Sequence, residues 1–244
     1  MKNFLFTLVL ILNFLTLGAN ELTLEKILEK VDNITNAPKD QTIFITITLI
    51  DKNKDQSIRK ITMYQKGQDK RVGKFTYPKE QKGLGFLSLP GNIMHIYLPA
   101  YKKIKNITSQ SKNGSFSGTD FTYEDMEMSS FARDYTGKIL NENDSLFLLE
   151  LFPKKEKNSF YEKLLITVDK RFYIPIKIEF FEKGKCSKIL ERKKIEKIKS
   201  YYVAKEMIMK NIENDHQTIM NYDSIFFDTN LSDDIFTDRF LKEQ

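Results

Sequence analysis

The sequence predicts a mainly β fold with a few helices, built as one large antiparallel sheet that is strongly curved or partly closed. Three observations carry this. Segments of β-branched and aromatic residues follow one another at short spacing along most of the chain, roughly a dozen of them. Gly, Pro, Asn and Asp separate the segments as turn signals. Helical periodicity is confined to the two ends and a middle loop, so the strand-helix alternation of a parallel sheet is missing.

The elements follow in order. Leu24, Ile27, Leu28 and Val31 form one apolar helical face that starts at Thr23 and ends at Asn36-Ala37-Pro38. Ile43, Ile45, Ile47 and Leu49 then alternate with Phe44, Thr46, Thr48 and Ile50 as a strand. A polar turn leads to the returning strand at Ile58–Lys66. Further strands are predicted at Lys70–Tyr77, Leu84–Leu89, Met94–Leu98 and Lys102–Thr108. The stretch from Gln110 to Met128 reads as a long loop with a short helical piece. Strands resume at Tyr135–Leu140, Leu146–Phe152, Tyr161–Asp169, Ile174–Phe181, Lys188–Ile198, Tyr201–Ile212 and His216–Phe226. The C-terminal stretch from Leu231 to Leu241 is predicted helical, capped by Ser232, with Ile235, Phe236, Phe240 and Leu241 as its apolar set. Ile43–Ile50 and Ile174–Phe181 carry apolar residues on both alternations, so both sheet faces are expected to be covered.

The chain opens with Lys2 and an apolar run from Phe4 to Leu17, followed by the small residues Gly18 and Ala19. That pattern predicts a cleaved secretory signal over residues 1–19, with the cut expected after Ala19. The run is shorter than the ~20 residues of a spanning helix. The cut region carries no cysteine, so acylation there is not expected. Residues 20–244 are then expected to form a single exported domain. Cys186 is the only cysteine, which excludes an internal disulfide and an intramolecular cysteine zinc site. The formal charge of +6 falls to +5 without Lys2. This permits contact with an anionic membrane and does not argue for nucleic acid.

Catalytic constellations are sparse. His95 sits in the apolar strand Ile93-Met94-His95-Ile96-Tyr97 and is expected to face outward, while His216 is expected in a solvated turn. Gly114-Ser115-Phe116-Ser117-Gly118 has Phe116 where a nucleophile elbow needs serine. Glu124, Asp125 and Glu127 lack the spacing of a calcium loop and read as an acidic solvated surface. The lysine run from Arg192 to Lys199 reads as the wet edge or face of a strand. No catalytic residue, metal site or cofactor is expected.

One run of motifs is informative in combination. Phe75-Thr76-Tyr77-Pro78 leads to Lys82-Gly83-Leu84-Gly85-Phe86-Leu87, then to Ile96-Tyr97-Leu98-Pro99-Ala100 and Lys102-Lys103-Ile104-Lys105. Gly114-Ser115-Phe116-Ser117-Gly118-Thr119-Asp120-Phe121-Thr122-Tyr123-Glu124-Asp125 follows, and Phe227-Asp228-Thr229-Asn230-Leu231 comes near the end. This order resembles the LolA-like outer-membrane lipoprotein-sorting proteins. The stretch Ile93-Met94-His95-Ile96 departs from the family, whose members usually carry a tryptophan there.

The resemblance implies a half-open β-barrel with short helices as a lid over an apolar cavity. It also implies a periplasmic, non-catalytic carrier of acylated lipoproteins or lipids between inner and outer membrane. Expected partners are that cargo, an inner-membrane transporter and an outer-membrane acceptor, with the carrier itself a monomer. The alternative is an accessory that docks to a transporter of hydrophobic cargo. A secreted hydrolase would have to depend on His95 or Ser117. Burial contributes about 0.8 kcal/mol per methylene, so eight methylenes give roughly 6 kcal/mol before ordering costs. Pattern and place in the motif run nominate Phe75, Phe86, Met94, Tyr97, Phe121 and Met126 as lining. The exported protein is expected to begin at Asn20, and the intact mass of the purified mature chain checks this.

Overall fold

A computed structural model describes residues 22–243; the expected export signal lies outside the described residues. Helix α1 (Leu24–Thr35) begins where the Thr23 hydroxyl accepts the Lys26 N–H, and it buries Leu24, Ile27, Leu28 and Val31. Six strands follow as a meander: β1 (Asp40–Ile50), β2 (Gln56–Lys66), β3 (Lys70–Tyr77), β4 (Gly85–Leu89), β5 (Ile93–Leu98) and β6 (Lys103–Asn106). A non-strand stretch then carries α2 (Tyr123–Glu127) and α3 (Phe131–Asp134). A second meander closes the chain: β7 (Tyr135–Glu142), β8 (Leu146–Pro153), β9 (Lys163–Asp169), β10 (Ile174–Glu182), β11 (Lys185–Ile198), β12 (Tyr201–Asn211) and β13 (His216–Phe227).

The two meanders join through β1 and β13, paired from Gln41–Phe227 to Ile50–Gln217. The result is one 13-stranded antiparallel sheet, open at β6 and β7. It is a curved half-barrel, not a closed one. Its inner face takes Ile43, Ile45, Ile47 and Leu49 of β1, and α1, α2 and α3 lie against that face. Phe116, from the loop after β6, reaches the far end of the same face. There it stacks on Phe75 with ring centroids 5.4 Å apart and meets Phe86 edge-on at 5.3 Å. Gly73 leaves the space that the Phe86 ring occupies.

The outer face is covered only in part. Val72, Leu87 and Tyr97 pack there against Phe236 and Leu241 of the C-terminal segment. Over β1 the outer face stays open, and Phe44 is 43% exposed beside Phe226. The expectation that both faces of this strand are covered is therefore corrected: Phe44 gets only an aromatic neighbour, and Thr46 and Thr48 tolerate partial wetting.

The C-terminal stretch also differs from the expected continuous helix. Ser232 caps a single turn, Asp233–Ile235, and Thr237 then starts a new helix, α4 (Asp238–Lys242). Thr237 is extended; its hydroxyl donates to Asp234 O at 2.7 Å and accepts the Phe240 N–H at 3.2 Å. This break lets Phe236 and Leu241 both reach the sheet. No described helix is long and apolar enough to cross a membrane.

The buried Asp32 carboxylate ties α1 to the chain ahead of β7. It accepts the Ser130 hydroxyl at 2.6 Å, the Phe131 N–H at 2.8 Å and the Ala132 N–H at 3.0 Å. Hydrogen bonds to a buried charge are worth more than neutral ones, and removing the acceptor strands three donors. Asp32→Ala should therefore lower stability by about 2–4 kcal/mol, measured by chemical denaturation.

Candidate functional site

The inner face is not filled everywhere. Between α1, the α2–α3 segment and strands β10 to β13 with β1 to β3 lies a cavity of about 250 Å³. Its wall is made of side chains with matching strand parity. Met63 comes from β2, Met207 and Met209 from β12, and Met220 from β13, while Met126 and Met128 come from the helical segment. Six of the chain's eight methionines thus face one hollow. Ile43, Phe121, Phe131, Phe180 and Leu190 complete the apolar wall. Unbranched thioethers adapt to irregular partners, so such a wall suits flexible apolar cargo. Other hollows of 330 and 450 Å³ are lined chiefly by charged and polar residues at the rim.

Polar side chains interrupt this wall, among them Arg71, Arg192 and Tyr222. Arg71 on β3 is 8% exposed. Its Nε donates to Gln65 Oε1 at 3.3 Å, and its Nη1 donates to Met126 O and Met128 O at 3.2 and 3.3 Å. Arg192 on β11 donates Nη1 to Pro175 O at 2.9 Å. Tyr222 on β13 reaches only the Met207 sulfur, at 3.7 Å. Burial lowers the pKa of both guanidinium groups from the ordinary arginine value, although arginine stays charged. Burial likewise raises the Tyr222 phenol, against the pull of Arg192 and Arg71.

The α2 segment is fastened across the inner face by buried polar contacts. Thr122 and Asp125 form a reciprocal cap at the start of α2. Asp125 accepts Lys188 Nζ at 2.6 Å and the Tyr161 hydroxyl at 2.7 Å. Glu124 accepts the Ser159 hydroxyl and the Phe160 N–H. Glu127 pairs with Lys112 at 2.5 Å. The expected acidic solvated surface is thus corrected: these carboxylates point inward because the β8–β9 loop, β11 and the preceding loop supply donors from distant sequence. His216 is corrected in the same way, since Asp120 holds its Nδ1 at 2.7 Å instead of leaving it solvated.

The structure divides the six nominated lining residues. Phe121 and Met126 reach the cavity. Phe75, Phe86 and Met94 are buried in the inner core, the two phenylalanines around Phe116. Tyr97 lies on the outer face with Phe236 and Leu241. His95 shares that outer side and pairs with Asp238 at 2.6 Å, whereas Ser117 is held by Arg59, so the two are not brought together. Arg192 turns into the cavity while Lys193, Lys194 and Lys197 beside it are exposed, which corrects the reading of that run as uniformly wet. Arg71, Tyr222 and the methionines of β2, β12 and β13 were missed. The spacing of Met207 with Met209, and of Met220 with Tyr222, was the available signal. Among the described residues no group of His, Cys, Asp and Glu is arranged to hold a metal.

Comparison with known proteins bears on this geometry. A family model described as an uncharacterized protein matches residues 67–243. A domain from Vibrio parahaemolyticus, provisionally described as an outer membrane lipoprotein-sorting protein, is 29% identical with a TM-score of 0.79. The match covers 88% of this chain and 98% of that one. A DUF1329 family protein from Desulfovibrio piger is 21% identical with a TM-score of 0.83, covering 89% and 97% of the two chains. A LolA superfamily protein from Nitrosomonas europaea is 20% identical with a TM-score of 0.75, covering 89% and 99%. The last two similarities speak for the fold alone. No curated protein matches the chain.

One consequence for pH follows from the fastening of α2. Burial raises the pKa of Glu124 above the ordinary glutamate value, opposed by the Ser159 and Phe160 hydrogen bonds and by Lys157. The folded state then holds this proton more tightly than the unfolded state. The contribution is present in full below the ordinary value and is lost as pH rises through the raised one. Glu124→Gln keeps an acceptor and removes the titration, so it should flatten the fall in melting temperature across that window.

Proposed function

We propose, from the premise that this chain belongs to the LolA-like family of outer-membrane lipoprotein-sorting proteins, that it is a non-catalytic periplasmic carrier. It takes up the acyl chains of lipoproteins or lipids in the methionine-walled cavity and moves them between inner and outer membrane. The observation that carries this reading is the unfilled inner face itself. An open sheet covered by short helical pieces leaves about 250 Å³ beside soft apolar side chains. Protein interiors are otherwise close-packed, so a hollow of this size and lining favours a transient occupant. Acyl chains gain free energy there without directional contacts.

The α2–α3 segment is the natural cover. It contributes Met126, Met128 and Phe131 to the wall, and polar contacts tie it to β11 through Lys188, to β3 through Arg71 and to α1 through Asp32. Delivery requires a donor transporter and an outer-membrane acceptor.

Two measurements test the reading. Mature protein purified from cells should yield lipid on extraction and mass spectrometry, and the emptied protein should take up a fluorescent fatty acid. Ala204→Trp places a large ring in the cavity wall and should weaken uptake at least about ten-fold, equivalent to about 1.4 kcal/mol, with the fold intact by circular dichroism. Uptake unaffected by the plug would place the acyl chain elsewhere, and absence of both native lipid and uptake would overturn the carrier reading.

A further inference from the structure

Two arginines in an apolar cavity require an explanation. Charged side chains are rarely buried without a partner of opposite sign. Arg71, buried, and Arg192, half-buried, both line this cavity, and their hydrogen-bond acceptors are all neutral: one side-chain amide and three backbone carbonyls. Among the described residues no carboxylate pairs with either group. Arg71 keeps Nη2, and Arg192 keeps Nε and Nη2, without a protein acceptor.

The two carboxylates that reach the cavity wall are already engaged. Asp32 holds the hydroxyl of Ser130 and two N–H groups, and Asp125 holds Lys188 and Tyr161. Hydrogen bonding does not cancel the charge of these carboxylates, and Asp69 and Glu127 also act on Arg71 from a distance, but among the described residues neither guanidinium has a carboxylate within ion-pair reach, so both keep donors for an anion. Register sharpens the picture. Arg192 pairs across strands with Met207, and Met207 pairs with Met220, so the cation stands at the end of a row of thioethers. Tyr222 is one same-face step along β13 from Met220, and its hydroxyl lacks an oxygen partner.

We infer that the cargo of this cavity is an anionic lipid. Its phosphate or carboxylate would sit between Arg71 and Arg192 with the Tyr222 hydroxyl as a further donor, and its acyl chain would lie among the methionines. This rests on the acyl-binding reading above and narrows it. The ester- and amide-linked acyl groups of a lipoprotein terminus carry no anion, so they leave the two arginines unanswered. A phospholipid or a fatty acid answers them with charge-assisted hydrogen bonds in a low-dielectric site, where such bonds are strong.

Arg192 is the cleaner probe, because Arg71 also holds the Met126 and Met128 carbonyls. Displacement of a fluorescent fatty acid from the full mature protein would be followed with dodecyl phosphate, with glycerol monolaurate as the neutral amphiphile, and with inorganic phosphate alone. The expected result is at least about ten-fold tighter binding of dodecyl phosphate than of the neutral lipid. Arg192→Met should bring that ratio close to one, Arg192→Lys should retain part of it, and melting curves would verify folding. Equal binding of the two lipids overturns this inference while leaving acyl binding standing. Binding of neither overturns the carrier reading as well. A preserved preference in folded Arg192→Met removes Arg192 from the site. Displacement by inorganic phosphate as effective as by dodecyl phosphate would identify a free-anion site instead. If Arg192→Met fails to fold, the lipid pair on the unaltered protein and the Arg192→Lys ratio still decide.

Discussion

The pairing of β1 with β13 is the constraint on which the rest of this molecule depends. It joins the first meander to the last and makes one sheet from two. Without it, Met63 on β2 and Met207, Met209 and Met220 on β12 and β13 would belong to different surfaces. Asp40, at the start of β1, reinforces the join by accepting the Thr229 N–H at 2.8 Å and the Leu231 N–H at 3.2 Å just beyond β13. The same contact directs the C-terminal chain onto the outer face, where Phe236 and Leu241 cover Val72, Leu87 and Tyr97. The loop-closure cost of so distant a pairing is offset by a continuous row of inner-face Ile and Leu on β1.

The inner face combines two kinds of contact. Around the cavity, rigid polar ties fix the covering segment: Asp32 to the start of α3, Glu124 to the β8–β9 loop, and Asp125 to Lys188 and Tyr161. Such buried ties bring modest net stability, since desolvation opposes them, but breaking one partner is costly. The wall between them is methionine, which can accommodate irregular partners. The arrangement keeps the position of the cavity defined while its shape can adapt.

Much of the fold was legible along the chain. Alternation in β1, turn residues between short strands and the apolar face of α1 each reflect a local period that burial imposes directly. The failures have physical causes. The C-terminal apolar set at Ile235, Phe236, Phe240 and Leu241 resembles one helix, but Thr237 interrupts it with its own hydroxyl bonds. Glu124 and Asp125 look like surface residues because their donors, Ser159, Lys188 and Tyr161, are far away in sequence. Phe75 and Phe86 share a face with the cavity, yet Phe116 fills the space in front of them.

By itself, the sequence determined the class of fold, the strand pattern and the family resemblance, because each is written in spacing over a few residues or in short motifs. Only the tertiary structure decided which apolar residues meet a void and which meet each other. That choice depends on sheet curvature and on where one loop, bearing Phe116, happens to dock. Arg192 shows the difference most clearly. Within a lysine-rich strand it reads as one more wet cation, and only the row Arg192, Met207 and Met220 across three strands places it inside the hollow.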